Sequence, residues 1–148
     1  MRHRVSVIAT VYNESASIDA LLDSLRRQTR RPDEIVIVDG GSRDDTMARL
    51  ERHRRIDDLP LRAWSLPGCN IAAGRNAAIA AAAGPIIAVA DAGVRLEDRW
   101  LEAITAPFEG ESAPDVVSGF FVADPRSLFE RALGAVTLPC LDEIDPET

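Results

Sequence analysis

Three short apolar runs constrain the fold of this 148-residue chain, because each is followed at once by a polar turn. The runs cover residues 5–11, 35–38 and 86–90 and are rich in Val, Ile and Ala. Continuous apolar runs of this length are typical of strands buried on both faces, as in parallel sheets. Because helical segments separate the runs, the sequence predicts βαβ units and an α/β fold with a mainly parallel sheet flanked by helices.

Periodicity and turn residues define the other predicted elements. Strands are expected at residues 5–11, 34–38, 61–66, 86–90 and 116–122, and helices at about 18–27, 46–54, 71–83, 96–106 and 128–136. The expected helix caps are Ser15 or Ser17, then one of Ser42, Asp44 and Asp45, then Asn70 and Ser127. Small side chains in the third helix would let it lie close to the sheet.

Length, charge and cysteine content limit the class of protein. We expect residues 1–148 to form one domain. The net charge of -7 argues against a nucleic-acid polymer as partner. Cys69 and Cys140 lie far apart without a metal-ligand pattern, which fits a reducing cytoplasm without a disulfide. No run approaches the roughly 20 apolar residues of a membrane span, so contact with the inner face of a membrane would need regions outside this sequence.

The three polar turns, at residues 12–14, 39–42 and 91–93, are expected to converge at the carboxyl edge of the sheet, where ligands of such sheets bind. Their carboxylates, Glu14, Asp39 and Asp91, could hold a nucleoside or a hard divalent ion that neutralises a diphosphate. Asp39 would face the crevice, although it could instead only organise its turn. Gly40 and Gly41 would allow positive φ or close approach to a ligand.

The sequence lacks the motifs of several other nucleotide-binding and catalytic sites. The first turn has no G-x-G-x-x-G fingerprint, and the chain contains neither a phosphate-binding G-x-x-x-x-G-K-[ST] loop nor a G-x-S-x-G motif. His3 and His53 both lie in charged surroundings and are expected to be solvated, which argues against histidine catalysis.

Three ordered motifs carry a resemblance. Residues 5–14 read VSVIATVYNE, residues 34–46 read EIVIVDGGSRDDT, and residues 74–79 and 84–91 read GRNAAI and GPIIAVAD. Together they resemble the amino-terminal half of a glycosyltransferase family 2 catalytic domain, an inverting nucleotide-sugar enzyme with the Rossmann-like GT-A fold. The resemblance covers about residues 5 to 101.

The resemblance implies a hexosyltransferase-type activity with a nucleotide-sugar donor, a UDP-sugar, and an acceptor that is a glycan, a lipid or a small molecule. Thr10, Tyr12 and Glu14 would border the nucleoside, Asp39 would hydrogen-bond the base, and Arg75 would lie near the nucleotide. Gly41 would allow close approach, and Asp91 would approach the ribose or the metal-diphosphate group. For Tyr12 and Arg75, packing or ion pairing is the alternative.

Two departures from the family follow from the sequence. This sequence has Gly93 at the position of the second acid of the family's D-x-D motif. Asp91 would therefore be the one side chain that holds Mg²⁺ or Mn²⁺, together with water and the diphosphate. Glu97 or Asp98 could contribute if their loop folds back. The acceptor half, with its general base, is expected to be missing, unless the acidic residues 142–145 supply a base, so the domain is expected to be truncated and this chain alone inactive.

Two alternatives stay open beside the enzyme hypothesis. One is a non-catalytic nucleotide-binding or interaction module. The other is a partly open domain that self-associates through an uncovered sheet edge.

Overall fold

The computed structural model describes residues 2–56, 58–125 and 127–137. The predictions for Cys140 and for residues 142–145 therefore lie outside the described residues. The chain divides into two compact units, with the division after Val117. Within the part of the chain that is described, no helix is long and apolar enough to cross a membrane.

The first unit alternates strands and helices. Its elements are β1 (Val5–Val11), α1 (Ile18–Arg26), β2 (Glu34–Asp39), α2 (Thr46–Ile56), β3 (Leu61–Ser65), α3 (Ile71–Ala81), β4 (Ile86–Val89), α4 (Trp100–Thr105) and a 3₁₀ turn (Ala106–Glu109). The second unit contains α5 (Leu128–Thr137).

The four strands form one parallel sheet in the order β3-β2-β1-β4. β1 pairs with β2, with Ile8 opposite Val36, and also with β4, with Ile8 opposite Val89. All four carboxyl ends therefore meet at one edge, and the predicted α/β class with a mainly parallel sheet is confirmed.

Apolar side chains cover both faces of the sheet. On one face, the alternate β1 residues Val5, Val7 and Val11 belong to a buried cluster that also contains Leu21 of α1 and Leu50 of α2. On the other face, a smaller cluster lies beneath α3; its buried members are Ile8, Val36, Val38 and Ala78. Helices on both faces explain why the strand sequences are apolar throughout rather than alternating.

The helix predicted to begin at residue 96 begins at Trp100 instead. The side chain of Gln28 explains the difference, because its Nε2 donates to the Glu97 carbonyl at 2.6 Å and its Oε1 accepts from the Leu101 N–H at 2.8 Å. An α-helix through this segment would instead join that N–H to that carbonyl. The inserted side chain thus replaces the helical hydrogen bond.

The strand predicted at residues 116–122 is wrong, since this stretch is irregular. Val116 and Val122 are 81% and 72% exposed. A strand needs a neighbouring backbone as well as β-branched residues, and no ladder within the described residues includes this segment.

His53 also departs from expectation, since it is only 6% exposed. Its Nδ1 lies 2.9 Å from Arg26 Nη2 and its Nε2 lies 2.7 Å from Asp19 Oδ1. Because an arginine only donates, Nδ1 accepts and Nε2 carries the proton. The charged neighbours that suggested a solvated residue are the partners that allow its burial between α1 and α2.

Candidate functional site

The carboxyl edge of the sheet brings the three predicted polar turns together. Val11 lies opposite Asp39 at the ends of β1 and β2, and the Ala90 N–H donates to the Ile8 carbonyl at 3.0 Å just before Asp91. The chain moves outward from β1 to β3 and then returns to the other side of β1 as β4. A reversal of strand order of this kind opens a crevice between β1 and β4, where ligands of α/β sheets bind.

The turns after β1 and β2 are joined along their length. Four hydrogen bonds cross between them: Asn13 N–H to Ser42 Oγ at 2.8 Å, Arg43 N–H to Asn13 Oδ1 at 2.9 Å, Glu14 N–H to Thr46 Oγ1 at 2.8 Å and Ser15 N–H to Asp44 Oδ2 at 3.0 Å. Asn13 has φ 54°, a left-handed conformation that asparagine tolerates. The two turns therefore form one hydrogen-bonded rim.

Asp39 is the centre of this rim, and its exposed fraction is only 1%. Its Oδ2 accepts from the N–H groups of Gly41 and Ser42, both at 3.0 Å, and from Ser65 Oγ at 2.9 Å. Its Oδ1 accepts from Ser42 Oγ. Donors from the turn and from β3 surround this carboxylate, so Asp39 organises its turn, and its contact with a nucleoside base stays a prediction.

The loop between β3 and α3 also reaches this edge, although the site predicted from the sequence does not include it. The Leu66 N–H donates to the Asp39 carbonyl at 2.7 Å, and the Gly68 N–H donates to the Gly40 carbonyl at 3.1 Å. Gly41 has φ 95°, and a Cβ there would lie 3.0 Å from Pro67 Cα. The Pro-Gly turn directly after the third strand was the available signal, since every parallel strand ends at this edge.

Asn70 caps α3 as predicted, with its Oδ1 accepting from the Ala73 N–H at 2.8 Å. The helix lies close to β1, because a Cβ added to Gly74 would lie 2.5 Å from Thr10 Cγ2. The hydroxyl oxygen of Thr10 is buried without a hydrogen-bond partner. Thr10 thus lies beneath α3, near the carboxyl end of β1.

Tyr12 and Glu14 lie in the turn that follows β1. Tyr12 is 55% exposed, so its ring is accessible. The Glu14 carboxylate accepts from Ser17 Oγ. Ser17 occupies the N-cap position of α1 but makes no capping hydrogen bond, which corrects its predicted role. In the next turn, Asp44 accepts from the Thr46 N–H at 3.1 Å at the start of α2, as one of the predicted alternatives.

Arg75 and Asp91, two predicted site residues that lie 16 positions apart, form an ion pair. Arg75 Nη2 donates to Asp91 Oδ1 at 3.0 Å, and the side chains are 39% and 63% exposed. The pair joins α3 to the turn after β4 at the carboxyl edge of the sheet. Both side chains keep surface available to a ligand.

The carboxylates at this edge do not form a cation site by themselves. Among the described residues, no group of three His, Cys, Asp or Glu side chains is placed to hold a metal ion. Glu97 and Asp98 do not fold back as suggested, because the Glu97 carbonyl binds Gln28 and Asp98 Oδ1 lies 3.3 Å from Arg27 Nε, just beyond the C-terminal end of α1. The amino acids present do not fit a resident metal centre.

The opposite edge of the sheet contains a cavity of about 350 Å³, lined in part by Arg4, Asp33 and Leu61. Beside it, Glu34 Oε2 accepts from Ser6 Oγ at 2.7 Å and from the Ala83 N–H at 2.8 Å. Arg62 Nη1 lies 2.7 Å from Glu34 Oε1. These groups hold the strands together. The candidate site is therefore the carboxyl edge of the sheet, where the polar turns converge.

Comparison with known proteins gives a consistent match. The model of the family described as "Glycosyl transferase family 2" matches residues 6–136. Validoxylamine A glucosyltransferase from Streptomyces hygroscopicus subsp. limoneus is 31% identical in an alignment of 134 residues that covers 83% of this chain and 28% of the relative.

Solved structures agree with that match. TarS from S. aureus in complex with UDP-GlcNAc is similar with a TM-score of 0.62 and 30% identity, over 72% of this chain and 31% of that one. The mannosyltransferase PcManGT from Pyrobaculum calidifontis, in complex with GDP-Man and Mn²⁺, has a TM-score of 0.62 and 32% identity, over 67% of this chain and 30% of that one. The chain thus spans less than a third of each of these three proteins.

Proposed function

The chain belongs to glycosyl transferase family 2, and on that premise we propose that it is the donor-binding part of an inverting glycosyltransferase. The donor is a UDP-sugar, and the acceptor is a hydroxyl group of a glycan, a lipid or a small molecule. The observation that carries the proposal is the position of the Arg75–Asp91 pair, at the mouth of the crevice where the strand order reverses. Nucleotides bind α/β sheets at that position.

Each side of the crevice suits a different part of the donor. The exposed ring of Tyr12 offers a surface on which a base can stack. Asp39 would accept a hydrogen bond from the base once a serine hydroxyl, Ser42 or Ser65, turns away from it. Thr10 and Glu14 border the nucleoside between them, and Gly41 has no side chain to limit its approach.

The diphosphate would lie beside Arg75, whose guanidinium matches phosphate oxygens in geometry and charge. Asp91 would approach the ribose. Asp91, together with oxygens of the diphosphate, would hold a divalent cation, Mg²⁺ or Mn²⁺, and the cation would neutralise charge on the diphosphate. Mg²⁺ sites with one or two carboxylates plus phosphate oxygens are common.

Inverting transfer is a direct displacement at the anomeric carbon. The acceptor oxygen forms a bond to that carbon while the bond between the carbon and the diphosphate oxygen breaks. The diphosphate leaves with the electron pair. The acceptor proton passes to a general base, which contributes ~10² to 10⁴ in rate. We assign no base to the described residues and propose that the base and the acceptor site come from outside them, in a cytoplasmic enzyme.

Calorimetric titration of the purified chain with UDP and with GDP tests the proposal. We expect UDP to bind more tightly than GDP, and we expect Tyr12→Ala to weaken UDP binding about tenfold, as loss of one base-stacking contact does. Tyr12→Phe keeps the ring and is the matched variant. A folded chain that binds neither nucleotide would contradict the proposal.

Gly93 favours a second candidate, a module that binds a nucleotide without catalysis. The missing acid would then reflect loss of the transfer reaction while the nucleotide site persists. Turnover of a UDP-sugar by the purified chain would exclude this candidate.

We further propose that the isolated chain self-associates through the β4 side of the sheet. Among the described residues β4 has one strand neighbour, and Val89 on it is 45% exposed. Unpaired strand edges are templates for pairing between chains. Light scattering should therefore give a mass above 16.1 kDa, and a monodisperse monomer would contradict the idea.

A further inference from the structure

The Arg75–Asp91 ion pair stands where a metal-dependent site would need a free carboxylate. Asp91 Oδ1 is occupied by Arg75 Nη2 at 3.0 Å. Gly93, two residues later, contributes no side chain. A cation arriving at this edge therefore meets one carboxylate that already has a positively charged partner.

A divalent cation and the Arg75 guanidinium must compete for Asp91. Both are positive, so binding of one near the carboxylate lowers the electrostatic attraction for the other. A guanidinium is always charged and can bind two phosphate oxygens at once. Arg75 can therefore neutralise a diphosphate without moving far, because its side chain is already 39% exposed at the mouth of the crevice.

We propose that Arg75 is the resident counter-ion of this site, paired with Asp91 before the donor arrives and turned to the diphosphate when the donor binds. Binding of a nucleoside diphosphate then depends only weakly on a divalent cation. Arg75 has this role only if the site binds nucleotides, as proposed above. Asp91 in turn acts as a placeholder that orients the guanidinium and competes with the diphosphate for it.

This role predicts opposite signs for the two members of the pair. Removing the positive charge with Arg75→Gln should weaken UDP binding at least tenfold without metal, since hydrogen bonds to charged groups are strong. Removing the competing negative charge with Asp91→Asn should tighten UDP binding about threefold under the same conditions. A carboxylate that serves mainly as a metal ligand gives the reverse result for Asp91→Asn once metal is present.

The experiment is titration of UDP into the wild-type chain and both variants, in EDTA and then with Mn²⁺. Arg99→Gln is the matched control, because Arg99 is 80% exposed and pairs with Glu102 in α4. We expect Mn²⁺ to tighten wild-type binding less than threefold and Arg75→Gln binding much more, since Asp91 is then free for the cation. Circular dichroism checks that each variant is folded.

Two results would overturn the inference while leaving the proposed donor site intact. One is an affinity of the wild type for UDP that rises threefold or more with Mn²⁺. The other is loss of binding in Asp91→Asn both with and without metal. Absence of UDP binding in every folded variant and condition would instead overturn the proposed function, and the role of Arg75 with it.

Discussion

Gly93 is the residue at which this chain departs most clearly from a cation-binding site. A Cβ added there would meet no atom within 4 Å, so a side chain can be introduced without a clash. The residue is exposed and lies in the turn that follows Asp91.

Gly93→Asp should therefore create a second carboxylate two residues after Asp91. We expect the variant to fold with unchanged stability and its UDP binding to become markedly dependent on Mn²⁺, because two carboxylates hold a divalent cation better than one. Isothermal titration with and without Mn²⁺ measures the change, and Gly93→Asn is the uncharged control. Equal responses to Mn²⁺ in both variants would count against the expected cation site.

Asp39 shows how a single residue can bear on both stability and binding. Asp39→Asn replaces one acceptor oxygen with an NH₂ donor facing the N–H groups of Gly41 and Ser42. We expect the free energy of unfolding to fall by about 1–3 kcal/mol, as when buried hydrogen-bonding groups lose their partners. Urea denaturation measures it.

Ser65→Ala is the matched control for Asp39→Asn, because it removes one hydrogen bond to the carboxylate and keeps the charge. The control should cost less than Asp39→Asn. Equal losses in the two variants would mean that the turn does not depend on the carboxylate.

At the scale of elements, the approach of α3 to β1 depends on the absence of a side chain at Gly74. Gly74→Ala would favour the helix by about 1 kcal/mol through propensity. The new methyl would nevertheless collide with Thr10 Cγ2, and overpacking typically costs 1–3 kcal/mol. We expect a net loss of stability in thermal or urea unfolding.

Thr10→Ser tests the cause of that loss, because serine lacks the Cγ2 methyl. The double variant should recover most of the stability lost by Gly74→Ala, which a double-mutant cycle would reveal as coupling between the two sites. Additive effects would place the strain elsewhere.

The elements themselves differ in how far the sequence could predict them. β1 to β3 and α3 have local signals, such as continuous apolar runs and the Asn70 cap, and they occur within one or two residues of the predicted bounds. The start of α4 depends on Gln28, some 70 residues earlier, and no local pattern reveals that contact. The strand predicted at residues 116–122 has the right composition but lacks a neighbour.

The candidate site divides in the same way. The meeting of the polar turns follows from parallel topology and was predictable. The partners of Asp39 were not, because Ser65 lies 26 positions away in sequence. The Arg75–Asp91 pair could not be predicted from the sequence either, because it depends on how α3 packs against the sheet.

At the scale of the whole molecule, Glu34 links four elements, with partners in β1, β3 and the segment after α3. Its burial opposes ionisation, but the Ala83 N–H, Ser6 and Arg62 outweigh that effect and hold the pKa of Glu34 below its ordinary value. A lowered pKa in the folded state means that the carboxylate stabilises the fold above the unfolded-state pKa, about 4.3. The stabilisation is lost as the pH falls through the lower, folded-state pKa.

Glu34→Gln should therefore destabilise the chain at pH 7 by about 1–3 kcal/mol and flatten the acid limb of stability below about pH 4. Urea denaturation across pH 2.5 to 7, values chosen to bracket roughly the carboxyl range, measures both effects. Glu51→Gln, in an exposed pair within α2, is the control and should change neither. An unchanged acid limb in Glu34→Gln would contradict the assignment.

The rim formed by the first two turns has a consequence for how the chain can vary in evolution. In three of its four hydrogen bonds the first turn contributes a backbone N–H group, at residues 13–15, and the second contributes the side chain of Ser42, Asp44 or Thr46. In the fourth, the Asn13 side chain accepts from the Arg43 N–H. Nearly every amino acid retains a backbone N–H, so Glu14 and Ser15 can diverge at little cost to the rim, with proline as the exception. The side chains of the second turn are more constrained, because a change of side chain there removes the acceptor itself.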